Sequence, residues 1–303
     1  MRTLVVTGAA GFIGRRLVTA GLARGWAVRA LVRDPSSMPM GDHLNAYRWD
    51  ASAAETRAHL LEGADAVCHL AALIPPDGNN PAFAKPCFGV NALGTLSLLA
   101  AAHEAGVSRF VHVASGNAYA PRPGLVGENH SLYPSERSPY YFISKIAGEV
   151  FVDHWRRTRG LSSCVLRLGS VYGPGMKSKG LVPIFTQRLH AGQPIVVRDG
   201  GGFATDLVFV DDVVSAAHSA LEGDVIGAFN IGSGVRTTVR ELAALLVEIV
   251  GADPSLVTIG SPGAAPDIGF AGLDVSRARA ELGYRPTPLR EGLRRYVRWL
   301  SSS

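Results

Sequence analysis

Cysteine, lysine and long apolar runs are what this sequence has least of, and each shortage removes a class of protein. The three cysteines, Cys68, Cys87 and Cys164, are odd in number, widely spaced and set in apolar surroundings. They read as neither a disulfide framework nor a metal cluster, so a reducing, cytoplasmic setting and no metal are expected. No apolar run approaches the roughly 20 residues that span a bilayer, so no membrane partner is expected. The opening stretch from Met1 to Gly8 reaches glycine too soon for a signal-peptide core and reads as a first strand. Only four of the 30 basic residues are lysines (Lys85, Lys145, Lys177 and Lys179), so arginine carries most of the positive charge. The arginines are scattered, without the stripe or reader motif of a nucleic-acid binder. A net charge of +5 suits an anionic small molecule instead.

What is present is ordinary globular material: 303 residues, 47% hydrophobic and 18% charged. Apolar β-branched runs at 3–7, 27–32, 66–71, 110–114 and 164–168 alternate with helical patterns at 11–24, 90–105 and 144–157. Strands alternating with helices predict an α/β fold with a doubly wound parallel sheet. After Gly173 the pattern breaks into Pro/Gly punctuation and shorter elements. The expected division is a dinucleotide-binding domain over 1–169 and a smaller substrate lobe over 170–303, with part of the latter returning to the sheet.

The first strand runs into Thr7-Gly8-Ala9-Ala10-Gly11-Phe12-Ile13-Gly14, a T-G-x-x-G-x-x-G loop that opens a helix. Gly8 permits the tight turn, Gly11 lets backbone approach a pyrophosphate, and Gly14 lets the helix pack closely. Backbone N–H groups of Ala10 to Gly14 and the helix dipole then face the phosphates. The second strand ends Leu31-Val32-Arg33-Asp34. A carboxylate there would hold the ribose hydroxyls of NAD, and an arginine the 2′-phosphate of NADP. Arg33, as the last strand residue, favours NADP over NAD. Tyr141 and Lys145 form a Y-x-x-x-K pair on one helix face. A lysine near the phenol would lower its pKa and fit it to move the proton of a substrate hydroxyl. Ser115 places a hydroxyl at the carboxyl edge of the sheet, where ligands of such folds bind.

Taken together, these pieces resemble the extended short-chain dehydrogenase/reductases, the NAD(P)-dependent sugar epimerase/dehydratase group. The resemblance also rests on His69-Leu70-Ala71-Ala72, Val90-Asn91-Ala92-Leu93-Gly94-Thr95 and Val113-Ala114-Ser115 followed by Ala118-Tyr119. Ser138-Pro139-Tyr140-Tyr141, Leu166-Arg167, Val171-Tyr172-Gly173-Pro174-Gly175 and Val210-Asp211-Asp212 continue it. Phe229-Asn230-Ile231-Gly232 and Leu282-Gly283-Tyr284-Arg285-Pro286 complete it. It implies a Rossmann fold with a C-terminal substrate lobe, and Ser115, Tyr141 and Lys145 as a catalytic triad supported by Asn91. It implies further that Asp50 meets adenine, that Leu70, Ala71 and Ala72 line the cofactor, and that Asn117 and Ser170 face substrate.

Four departures from the group stand out. Ser170 stands where nucleotide-sugar members have asparagine, Thr205 where they have arginine before Asp206, and Ser261 where they have arginine before Pro262. Those arginines would neutralise a diphosphate; Lys177, Lys179 or Arg198 are the available substitutes. Gly116-Asn117 replaces the acidic pair of dehydratases and cannot supply a proton donor and acceptor, which argues against dehydration. The expected function is hydride transfer at a carbinol or keto carbon of a sugar, by a 4-epimerase that keeps its cofactor or a ketoreductase or dehydrogenase that exchanges it. A non-catalytic dinucleotide sensor could dispense with Tyr141 and Lys145. A homodimer is expected through the helices around 90–105 and 144–157, because Leu96, Leu98, Leu99 and Ala100 to Ala102 cover more than one face.

Overall fold

The computed structural model describes residues 1–303 except 40, 54, 134–136, 177–179, 264–267 and 303. Six strand pairings build one sheet from β1 (Thr3–Thr7), β2 (Ala27–Val32), β3 (Leu44–Arg48), β4 (Ala66–His69), β5 (Arg109–Ser115), β6 (Ser163–Leu168) and β7 (Gly227–Ile231). The order is β7-β6-β5-β4-β1-β2-β3 and every pair is parallel. Central strands β4, β5 and β6 are buried along their whole length, as a sheet covered on both faces requires. The order reverses direction between β1 and β4, which opens a crevice at the carboxyl ends of those two strands.

Helices α1 (Phe12–Ala23) and α4 (Val210–Glu222) cover one face, over a core that includes Leu4, Val6, Leu17, Val111 and Val213. The other face carries α2 (Gly94–Glu104) and α3 (Pro139–Arg159), over Val5, Val67, Leu98, Phe110 and Val165. A wide i→i+5 turn, Phe88–Leu93, leads into α2. The helical stretch Pro81–Glu104 is long and apolar enough to span a membrane by length and composition, with a mean hydropathy of 1.2, although no single apolar run in the sequence is that long. In the fold Asn91, Thr95, Leu98 and Leu99 on this stretch are buried inside the protein.

Past residue 170 a third core, with Tyr172, Phe185, Phe209, Leu246 and Tyr296, fills a lobe beside the carboxyl edge. Its sheet joins Ser170–Tyr172, Ala204–Phe209 and Arg236–Thr238. Within the same part of the chain, β7 and α4 belong to the central sheet and its cover. α3 starts at Pro139 rather than near 144: proline is pre-set for a first helical turn, and Ser138 ahead of it is left-handed at φ 50°. Tyr141 and Lys145 therefore lie within one helix.

Candidate active site

The glycines of the first loop have distinct steric reasons. Gly8 has φ +66°, and a Cβ there would lie 2.8 Å from the Ala71 nitrogen. A Cβ on Gly14 would lie 2.2 Å from the Gly8 oxygen, so only glycine lets α1 pack on the loop that precedes it. At Gly11 the closest atom would be that same oxygen, at 3.0 Å. No side chain caps α1 and no acidic residue stands in its first turn, which leaves its N–H groups facing outward for an anion.

Above this loop lies a cleft of about 1340 Å³, lined by Gly8, Ala10, Gly11 and Phe12 from the loop and by Arg33, Asp50, Leu70, Ala71 and Ala72 from the neighbouring strand ends. That volume exceeds the few hundred to about 1,000 Å³ typical of small-ligand pockets and accommodates a dinucleotide. Ile13 and Gly14 do not line it. Asp34 does not either: its carboxylate accepts from Ser36 N at 3.1 Å and Ser36 Oγ at 2.8 Å, capping its own turn. Arg33 is left as the charged group of that strand end in the cleft. Asp50 accepts from Ser52 N and Oγ at 2.9 and 2.8 Å, which holds its carboxyl below the usual range.

The family model for the NAD dependent epimerase/dehydratase family matches residues 4–232. The chain belongs to that family. A UDP-glucose 4-epimerase of Mycolicibacterium smegmatis is 34% identical over 98% of this chain and 97% of its own. A dTDP-glucose 4,6-dehydratase of Streptomyces niveus is 30% identical over 98% and 92%. Among solved structures, a Thermotoga maritima UDP-glucose 4-epimerase with UDP-glucose superposes with TM-score 0.87 at 30% identity, covering 99% of both chains. The Streptomyces venezuelae dTDP-glucose 4,6-dehydratase with NAD bound gives 0.86 at 30%, covering 99% and 97%.

Of the residues expected for chemistry, none of Ser115, Tyr141, Lys145 or Asn91 lines the cleft itself. Asn91 ties the turn of Tyr141 and Lys145 to it. Its Oδ1 accepts from Leu73 N at 2.7 Å, and its Nδ2 donates to Leu73 O at 3.0 Å and to Ser144 Oγ at 2.9 Å. Ser144 Oγ donates in turn to the Tyr141 carbonyl at 2.8 Å. Leu73 is a cleft wall, so one amide joins that wall to the helix turn of Tyr141 and Lys145. Burial pushes the Tyr141 phenol up to about 12, with Cys87 adding to the rise. Burial draws the Lys145 ammonium down to about 8, opposed in part by Glu149. The expected lowering of the phenol by Lys145 is not found: loss of water and the nearby Cys87 set the shift, and both raise it.

Ser115 ends β5, with its Oγ accepting from Asn117 N at 3.3 Å. Asn117 Nδ2 donates to Ser170 Oγ at 3.3 Å, and Ser170 Oγ lies 2.7 Å from Thr205 Oγ1. Three of the expected substrate-side hydroxyls and amides thus form one chain with Thr205. Arg198 is exposed, and Lys177 and Lys179 lie outside the described residues. Two arginines were not foreseen. Arg15 lines the cleft and donates to Ala10 O at 3.1 Å and Ser37 O at 2.7 Å, joining the loop to the turn after β2. Arg16 donates to Pro174 O at 3.0 Å and pairs with Asp211 across the cleft mouth. Their position one turn after Gly11 was the available signal.

Proposed function

We propose that the protein is an NAD(P)-dependent 4-epimerase of a nucleotide-activated sugar, working by oxidation and reduction at one carbinol carbon. The observation that carries this reading is the tie from the dinucleotide cleft, through Asn91 and Ser144, to the helix turn of Tyr141 and Lys145. A bound nicotinamide supplies the hydride acceptor and donor. Tyr141 Oη takes the proton of the substrate hydroxyl and returns it, Ser115 Oγ hydrogen-bonds the reacting oxygen, and the buried Lys145 ammonium stabilises the phenolate while it exists. Asn117 and Ser170 face the sugar.

Dehydratases are among the relatives at comparable identity, so elimination is the reaction that this reading must displace. What supports displacing it is local. A Cβ on Gly116 would lie 2.8 Å from Leu273 Cδ1, so an acidic side chain there would have to displace the Leu273 methyl groups, and the Asn117 amide is engaged with Ser170. A ketoreductase or dehydrogenase acting on a sugar without a diphosphate is the second reading. It is favoured by the neutral pair Ser170 and Thr205, hydrogen-bonded to each other where nucleotide-sugar members were expected to carry asparagine and arginine.

The Streptomyces venezuelae dehydratase structure holds NAD. The NADP preference is our reading, supported by Arg33 in the cleft and Asp34 turned away. Domain bounds at 1–169 and 170–303, a cytoplasmic setting and a homodimer through α2 and α3 complete the proposal. Purified protein incubated with UDP-galactose is expected to yield UDP-glucose without added reductant. Tyr141→Phe should lower that rate by about 10²–10⁴ while leaving NADH and NADPH binding intact. Near-wild-type turnover by this variant would remove Tyr141 from the mechanism. Conversion of dTDP-glucose to a 4-keto-6-deoxy sugar would make the protein a dehydratase.

A further inference from the structure

A buried chain of hydrogen bonds crosses the base of the cleft, and its middle member has no part in the reading above. His69 ends β4 with no exposed surface. Its Nδ1 lies 2.7 Å from Thr7 Oγ1 and its Nε2 lies 3.0 Å from Thr95 Oγ1. The neighbours fix the direction of each proton. Thr95 Oγ1 donates to the Asn91 carbonyl at 2.7 Å, so it must accept from the ring, and Nε2 carries the hydrogen. Nδ1 then accepts from the Thr7 hydroxyl, whose oxygen accepts from the Ala71 N–H at 3.1 Å.

The two ends of this chain serve different parts of the site. At the Thr7 end, Ala71 is the backbone that lies against Gly8, at the distance where a Cβ would be refused. The Thr7 hydroxyl therefore fixes one wall of the nucleotide loop. At the Thr95 end, the bond to the Asn91 carbonyl falls in the wide turn Phe88–Leu93, where the ordinary i→i+4 ladder is interrupted. A side-chain hydroxyl there pins the residue whose amide holds Leu73 and Ser144, and through Ser144 the Tyr141 turn.

We propose that His69 is a positioning residue that keeps the nucleotide loop and the Tyr141 turn in register, Nδ1 serving the first and Nε2 the second. This rests on the cofactor and Tyr141 roles given under Proposed function. Burial and the Lys145 charge hold the imidazole down at about 3, so the strut stays neutral through any ordinary working pH. A ring that merely filled space between Trp49 and Phe110 would need neither nitrogen.

Nitrogen-15 spectra of the cofactor-free protein labelled in histidine test the tautomer directly. We expect a protonated Nε2 and an unprotonated Nδ1 at His69, whereas the opposite tautomer or a mixture would overturn the directed chain. Two isosteres then separate the arms: His69→Asn keeps an acceptor at the Nδ1 position, and His69→Gln keeps a donor at the Nε2 position. In His69→Asn the dissociation constants of NADH and NADPH should hold while kcat falls roughly 3- to 10-fold, the worth of one hydrogen bond. In His69→Gln the constants should rise by roughly that factor while kcat holds. Equal losses of both quantities in both variants, or wild-type values in His69→Phe, would overturn the proposal. Failure of wild-type protein to bind either cofactor or to turn over UDP-galactose would instead sink the functional reading, and the tautomer measurement would still decide the strut.

Discussion

Lys145 is 3% exposed and its ammonium is drawn from 10.5 down to about 8. A lysine so depressed costs the fold stability while both states are protonated, below pH 8. Between about 8 and 10.5 the native state holds fewer protons than the unfolded chain, so the contribution of this group to stability rises with pH. The shift corresponds to about 3 kcal/mol. Lys145→Met should therefore be the more stable protein in urea titrations at pH 7, and its advantage should shrink by about that amount by pH 10.5. An advantage that stays constant over this range would mean that Lys145 is better hydrated than its burial implies. Arg33 poses a question of specificity. Because Asp34 is occupied by Ser36, Arg33→Asp removes the strand-end cation from the cleft without leaving a second carboxylate to compensate. NADPH binding should weaken by roughly 10-fold or more, as loss of a charge-assisted bond implies, while NADH changes little. Equal weakening of both in fluorescence titrations would leave Arg33 a surface residue.

Among the elements, the contact between α3 and the wide turn decides the site, and one glycine permits it. A Cβ on Gly148 would lie 2.7 Å from the Asn91 carbonyl oxygen, a backbone atom that cannot swing aside. Gly148→Ala should push α3 off the turn, lower stability by about 1–3 kcal/mol and lower turnover with it. Gly21, inside α1, is the contrasting case. Its added methyl would meet Leu4, Val28 and His218 at 3.5–3.6 Å, which is ordinary contact. Gly21→Ala should leave stability unchanged or raise it by about 0.5–1 kcal/mol. Thermal unfolding of the pair checks both, and similar shifts would refute the close approach at Gly148. These elements also show what could be read in advance. The spacing of Tyr141 and Lys145 placed both on one helix, and the T-G-x-x-G-x-x-G pattern placed the loop, because each follows from helical or turn geometry within a few residues. The wide turn at Asn91 was not legible, since no local pattern marks an i→i+5 winding that the tertiary contact imposes. β3 left no apolar run to bound it: Leu44–Arg48 buries only its first residue, so a strand ahead of Asp50 came from the family resemblance rather than from its own pattern.

At the scale of the whole molecule, strand–helix alternation was enough to foresee the parallel sheet, because each βαβ unit must return its helix across a face. The second lobe was less legible: its strands are short, and β7 reaches the central sheet only after a long excursion. The sheet also leaves one helical face without a cover. Leu93 is 59% exposed, Val150 58%, Ile143 43% and Phe88 37%, all on the turn before α2 or on α3. Ile143, Ala147 and Val150 recur at four and three residues along α3, so they form a stripe on one side of that helix. Leu98, Leu99, Ala101 and Ala102 are already buried in the sheet's own core, so this exposed stripe is surplus to folding. The C-terminal lobe has its own core, around Tyr172, Phe209 and Leu293, to fill. A twofold axis that lays α2 and α3 against their counterparts in a second copy would bury the stripe in a four-helix bundle, each helix meeting the same surface. Light scattering of the purified protein should give twice the 31.9 kDa of one chain. Val150→Arg places a charge at the centre of that bundle, opposite its own symmetry mate, and should give the single-chain mass with the circular dichroism of the fold intact. A double mass that survives this substitution would place the interface elsewhere.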